Sequence, residues 1–415
     1  MLAFVVPHRM RRKLRSQLRS RQSPASSLAS LEKSWSPKDT IRALRAHRWS
    51  YFDGQYILMV LIGIFCLCII EQPGPLIKTL IATALMVSLL LPITRQFFLP
   101  FLPIASWLVL FYACRFIPTE YRPPIWVRVL PALENIVYGA NLSNILSANK
   151  HVVLDVLAWL PYGIIHFGAP FVTSAVIFVF AAPGTLQVYA RSFGYLNLIG
   201  VVIQIAFPCA PPWYESKYGL QPANYSMEGS PAGLARIDQL FGIDLYTSTF
   251  TAAPLVFGAM PSLHAGQATC HALFLSHIFP RAKFLFYTYI LWIWWATLYL
   301  QHHYAVDLIA GSVLALAVFQ IAKSKFLARL QPDKMTRWDY DYVELYNAQE
   351  SFGLHRIITD YNFDSDEWTV GSSSSISSGT MSPADETQSL WEGETLTSQH
   401  ESDVEAIEVI IDDRR

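Results

Sequence analysis

Two histidines and an aspartate have the types and the spacing for phosphoryl transfer: His264 in MPSLHAG, and His303 with Asp307 in HHYAVDLIAG. An imidazole attacks through one ring nitrogen while the other is held, so a nucleophilic histidine needs an orienting acceptor. His303 and Asp307 stand at i and i+4 where an apolar run begins. On a helix they stack on one face, and the carboxylate accepts from Nδ1–H. His302, at i and i+5 from Asp307, points roughly 140° away at ~100° per residue, which makes His303 the preferred nucleophile. His264 then supplies the general acid and base, protonating a departing alkoxide and later deprotonating an incoming hydroxyl. Ser262 and the backbone amides over 258–263 are candidates to hold phosphate oxygens. The helix start just after His303 offers free N–H groups and a positive dipole end to the same anion. This chemistry asks for no metal and no cofactor. The five cysteines, Cys66, Cys68, Cys114, Cys209 and Cys270, form no CxxC pair and no metal-ligand spacing, and read as small apolar residues.

The elements that position these groups are membrane-like. Hydrophobic residues make up 53% of the 415-residue chain and charged residues only 15%, with a mean hydropathy of +0.30, too apolar for a soluble globular protein of this size. Apolar runs near 55–72, 76–94, 97–114, 161–182, 188–207, 265–280, 284–301 and 305–322 predict an all-α polytopic membrane protein of about eight transmembrane helices. Prolines break the first three runs, and a re-entrant path is open to the third. Arg281 and Lys283 lie between runs six and seven, and Lys323, Lys325 and Arg329 follow run eight. Together with the basic start, they put both termini in the cytosol. The long segments 115–160 and 208–263 then face the lumenal or external side. Their Trp, Tyr and Pro content predicts interfacial helices and a cap. Each holds a sequon, at Asn141 and Asn224.

That topology brings the histidines together. His264 begins run six and His303 follows run seven, so one helical hairpin of ~20 residues per crossing returns the chain to the same face. A lone histidine at a helix end commonly just satisfies that end. Two on one face with a spaced aspartate point to function, because ionisable groups at membrane depth are expensive. His271, His277 and the pair His166 and Asp155 read as packing residues.

The three expected regions are a basic cytosolic arm over 1–50, a transmembrane catalytic domain over 51–330, and an acidic Ser-rich cytosolic tail over 331–415. The arm holds twelve Lys/Arg against Glu32 and Asp39, and suits contact with anionic lipid. No nucleic-acid partner is expected. Its start lacks signal-peptide order, so it is expected to stay attached. The tail carries nineteen Asp/Glu against five Lys/Arg and cannot bury enough apolar surface to fold alone.

The motifs resemble those of the type 2 phosphatidic acid phosphatase superfamily, whose second motif reads PSGH and whose third reads SR, five residues, H, three residues, D. Here Pro261-Ser262-Leu263-His264 stands for the second, and His303 with Asp307 for the third. Leu263 replaces the glycine, Ala296-Thr297 replace the Ser-Arg that binds phosphate in the hydrolases, and no clear first motif is present. These departures are similar to the sphingolipid synthase branch. The longer stretches FPCAPPWYE, SPAGLARID, FGAMPSLHAG and YLQHHYAVDLIAG resemble the fungal inositol phosphorylceramide synthase family.

The resemblance covers roughly residues 40 to 330. It implies transfer of phosphoinositol from phosphatidylinositol to the C1 hydroxyl of ceramide with release of diacylglycerol. It also implies a Golgi location with a lumenal active site, a small regulatory membrane subunit, and His264, His303 and Asp307 as the catalytic triad. With the phosphate-binding arginine absent, Lys217 and Arg236 are the available cations, each equally suited to a surface or headgroup-facing role. Two other readings stay open: a lipid phosphate phosphatase using the same triad with water, and a non-catalytic membrane protein that keeps the motif for lipid binding.

Overall fold

The computed structural model describes residues 30–345 apart from 48, 50–52, 341, 342 and 344. The expected basic arm up to residue 29 and the acidic tail beyond residue 345 lie outside the described residues.

A short α1 (Pro37–Ala46) precedes α2 (Gly54–Ile69), α3 (Pro75–Leu90) and α4 (Pro92–Ala113). Proline opens α3 and α4, where its missing N–H costs nothing. Pro100 and Pro103 fall inside α4, yet the helix continues through both. Both rings are buried, and α4 packs along a later helix.

Next come α5 (Val129–Tyr138) and α6 (Leu142–Ala148), and then one long helix, α7 (Val152–Phe180). It begins nine residues before the expected run at 161, so the preceding extramembrane segment is shorter than predicted. Its path widens into a π-helical turn over Leu160–Ile165, starting at Pro161, whose ring disturbs the regular ladder. α8 (Thr185–Ala206) follows, and then the small helices α9 (Pro212–Tyr218), α10 (Ala235–Phe241) and α11 (Tyr246–Thr251). The chain closes with α12 (Leu263–Ile278), α13 (Lys283–Tyr299) and α14 (Ala305–Lys325).

Each of the eight apolar runs is thus a helix. Among the described residues, four stretches are long and apolar enough to cross a membrane: Pro92–Phe116, Val152–Phe180, Thr185–Ala206 and Ala305–Lys325. α2, α3 and α12 have 16 residues each and α13 has 17. At ~1.5 Å per residue these reach about 24–26 Å, short of a ~30 Å hydrocarbon core.

α8 is the hub, packed on α4, α12, α14 and α7, and α12 lies between α13 and α14. Two glycines permit the closest approaches. A Cβ on Gly194 of α8 would meet the α4 backbone at Ile104 at 2.6 Å. One on Gly311 of α14 would collide with the Ser262 carbonyl, so α14 seats against the start of α12 only because residue 311 has no side chain.

Among the described residues there are no strands, only isolated bridges. Two of them, Trp126 to Cys209 and Cys209 to Gly258, run parallel and tie three cap segments side by side. They fix the loop that leads into His264.

Candidate active site

The loop before α12 is held at each step. Ala259 N–H donates to the Cys209 carbonyl and Ser262 N–H to the Asp307 carbonyl, while the Pro261 carbonyl accepts from Gln204 Nε2 at 3.0 Å. The Ser262 hydroxyl caps α12 by accepting from Ala265 N–H at 3.3 Å, and the residue is fully buried. Ser262 thus has a structural role beside the phosphate-holding one expected of it, and its amide joins the start of α12 to α14.

His264 and His303 meet as the hairpin argument requires. His264 Nδ1 lies 3.2 Å from His303 Nε2, and His303 Nδ1 lies 3.3 Å from Asp307 Oδ2. Asp307 is wholly buried, and His303 is only 8% exposed at its side chain. Asp307 Oδ1 has no hydrogen-bond partner, so the carboxylate's interaction is concentrated on the imidazole. The result is one line of groups, carboxylate to imidazole to imidazole. In such a line a proton held at Nδ1 leaves Nε2 with its lone pair toward His264. His302 turns away, its Nε2 at 3.2 Å from the Pro231 carbonyl.

Two aromatic rings brace this line. Tyr162, on the π-helical turn of α7, stacks on His264 at 4.4 Å between centroids and on His302 at 5.2 Å. His166 packs on His264 at 4.6 Å. The packing role expected of His166 holds, but the surface it packs on is a ring of the candidate site. Its former companion, Asp155, goes elsewhere. Asp155 Oδ1 takes hydrogen bonds from Arg236 Nη2 at 2.6 Å and Nε at 2.9 Å, and from the Tyr299 hydroxyl at 2.8 Å.

Of the two cations, Arg236 pairs with the buried Asp155 carboxylate and stays partly exposed. Lys217 is exposed on α9, its ammonium 5.1 Å from the Tyr218 ring centroid. Among the described residues no cluster of His, Cys, Asp and Glu has the arrangement of a metal site.

One residue escaped the sequence reading. Glu134 of α5 is completely buried, and its two carboxylate oxygens accept from Ala305 N–H and Val306 N–H, each at 3.2 Å. Burial pushes its carboxyl up, partly offset by these amide hydrogen bonds. The positive end of α14 is thus occupied by a protein carboxylate, which overturns the expectation that it lies open to a phosphate. The available signal was a lone glutamate inside the apolar stretch VLPALENIVY. A neighbouring carboxylate, Glu215 Oε2, accepts from the Tyr304 hydroxyl at 2.9 Å and Asn141 Nδ2 at 2.8 Å. One sequon nitrogen is therefore already engaged.

Comparison with known proteins agrees with this arrangement. The profile of the PAP2 superfamily matches residues 125–321, from the cap through α14. The chain is 55% identical to the inositol phosphorylceramide synthase catalytic subunit of Schizosaccharomyces pombe over 75% of this chain and 74% of the relative. It is 47% identical to that of Saccharomyces cerevisiae over 80% and 83%. A phosphoinositol dihydroceramide synthase of Bacteroides thetaiotaomicron is 29% identical over 54% and 75%. No solved structure matches the chain. Identity above half, sustained over three-quarters of both chains and spanning the histidine line, places this protein in the inositol phosphorylceramide synthase family.

Proposed function

We propose that the chain transfers phosphoinositol from phosphatidylinositol to the C1 hydroxyl of ceramide, in two steps through a phosphohistidine. His303 Nε2 attacks phosphorus, and the bond from phosphorus to the diacylglycerol oxygen breaks as His264 delivers a proton to it. Ceramide then enters. His264 takes the proton from the C1 hydroxyl, its oxygen attacks phosphorus, and the nitrogen–phosphorus bond breaks to regenerate His303. Asp307 holds Nδ1–H throughout and stabilises the imidazolium character that develops. The observation that carries this reading is the unbroken line Asp307 to His303 to His264, with the two imidazoles meeting at the nitrogens the reaction uses. Entering phosphate has to part that 3.2 Å contact and lie between the rings.

The eight helices are read as eight spans, the four shorter ones met by local thinning of the bilayer or by their interfacial flanks. Basic residues at Arg281, Lys283, Lys323 and Lys325 cluster at the ends opposite His264 and His303, which supports a lumenal site and cytosolic termini. Residues 1–50 and 331–415 are then cytosolic arm and tail. A small regulatory membrane subunit completes the proposal, since the relatives' printed names are of catalytic subunits; a Golgi location is carried over from the family resemblance alone. Lys217 and Arg236 stay the candidate cations for the inositol phosphate headgroup.

Purified protein supplied with labelled phosphatidylinositol, with and without ceramide, tests the reading. Label should reach inositol phosphorylceramide only when ceramide is present. Ceramide-independent release of inositol phosphate would replace transfer with hydrolysis.

A further inference from the structure

A large cavity lies beside the histidine line, lined mainly by α4, α7 and α8. Its volume is about 750 Å³, within the ~300–1,000 Å³ span of small-ligand sites. It runs along α7 from His166 to Phe178, about 18 Å at the helical rise. That is the reach of a long extended hydrocarbon chain, and the walls are almost entirely aromatic and aliphatic. Its inner end is His166, the ring packed on His264. A lipid lying in the cavity therefore ends beside the general acid and base.

Polar atoms without partners interrupt this apolar wall. His166 Nδ1, Trp107 Nε1 and Gln187 Oε1 are each buried and unbonded, and all three residues line the cavity. Trp107 Nε1 belongs to α4, and Gln187 Oε1 to the first turn of α8 at the Phe178 end, away from His166. Buried polar atoms are nearly always satisfied, so the unbonded His166 Nδ1 at the inner end points to a ligand that brings a partner. His166 Nδ1 accepts in the Nε2–H tautomer, so that partner is a donor. A diacylglycerol's ester oxygens only accept. A ceramide adds an amide N–H and hydroxyls, which donate.

We propose that this cavity is the acceptor-lipid site: a ceramide chain lies along α7 while the ceramide's polar backbone bonds to His166 and so presents the C1 hydroxyl to His264. The assignment rests on the transferase reading above. His166 becomes a substrate-positioning residue, and the cavity becomes the gauge of acceptor chain length.

The test uses the full-length enzyme in mixed micelles, comparing a short-chain with a very-long-chain ceramide at fixed phosphatidylinositol. A reciprocal arm varies the phosphatidylinositol chains at fixed short-chain ceramide. Ser174 and Ala190 line the cavity and are partly buried. In Ser174→Trp and Ala190→Trp the indole fills chain space. The long-chain to short-chain ratio of kcat/KM should fall at least about tenfold, the effect of denying roughly two methylene groups their burial. The phosphatidylinositol arm should not move. His166→Leu should raise the ceramide KM about tenfold and leave the phosphatidylinositol KM unchanged, as expected for one lost hydrogen bond.

Equal losses for both ceramides, or chain-length sensitivity that follows the donor instead, overturn the assignment. In the wild type, a ceramide carrying a photoreactive group at its chain terminus should label the region around Phe178, whatever the tryptophan variants do to folding. Labelling elsewhere also overturns it. A wild-type enzyme that makes no product from either ceramide defeats the transferase reading itself, whereas product formation without the chain-length shift defeats only the cavity assignment.

Discussion

α12 carries two histidines two turns apart, His264 partly buried and His271 fully buried, and they set a histidine placed for the proposed reaction against a packed one. His271 meets the Tyr189 hydroxyl at 2.9 Å and stacks on Phe193 at 5.5 Å, enclosed by aromatic rings. His264 is also braced by rings, Tyr162 and His166, but its Nδ1 faces the nitrogen of a second imidazole whose other side is held by a carboxylate. Aromatic contact is therefore common to both. Only His264 faces a second imidazole that is itself held by a carboxylate, the arrangement that the proposed transfer uses. The backbone around each follows the same logic. The His264 end is fixed by Ser262, Gly311 and Glu134, each of which ties α12 or its loop to the start of α14 or ties α14 to the cap. The His271 end is surrounded by ordinary core packing.

The largest way to break this contrast is His303→Gln. Transfer should fall by at least about 10³-fold, since a nucleophile is lost outright, while thermal unfolding in detergent stays near wild type. Retained turnover would remove His303 from the reaction. Asp307→Asn should lower kcat by roughly 10²–10⁴, because the amide presents the wrong tautomer-fixing group. Acid-labile, base-stable phosphoprotein trapped from phosphatidylinositol alone should vanish in His303→Gln and form only more slowly in Asp307→Asn; its persistence in His303→Gln would assign the intermediate to another residue.

Gly311→Ala follows. Its methyl would strike the Ser262 carbonyl and spread α12 from α14, an overpacking cost of about 1–3 kcal/mol. The melting temperature and kcat should drop together. A fall in activity alone would mean that this contact tunes the site without supporting the fold.

Glu134→Gln is smaller and sharper. It keeps the shape but removes the charge at the α14 N-terminus, and kcat should fall about tenfold with little change in KM. An altered KM for phosphatidylinositol would instead put Glu134 at the headgroup. The smallest effect belongs to His271→Phe, which keeps the stacking and loses the Tyr189 hydrogen bond. Stability should drop by about 1 kcal/mol while kcat stays within about twofold. A large loss of turnover there would erase the distinction between the two histidines.

Much of this site was legible along the chain. An apolar hairpin between His264 and His303 returns them to one side. His303 does reach Asp307, but not from one helical face: His302 and His303 precede α14, which begins at Ala305, so the rotation argument that separated the two histidines does not apply and the loop before α14 orients them instead. Glu134 and Tyr162 were not legible as site residues. Each reaches the line from a helix distant in sequence, and a carboxylate in an apolar stretch names no partner by itself. The π-helical turn that carries Tyr162 depends on how α7 packs over α13, which no local pattern records.

By itself, the sequence determined the helical class, the position of eight apolar helices and the identity of the three aligned groups, because periodicity and hydropathy are local properties of a chain. Only the tertiary structure decided what surrounds them. It gave the α14 N-terminus to Glu134 instead of a phosphate, Arg236 to Asp155, Ser262 to a cap, and His166 to the boundary between histidine line and cavity. The physical reason is that a buried charge or hydrogen-bonding group takes whichever partner the packing brings within about 3 Å. That partner is a property of the assembled helices.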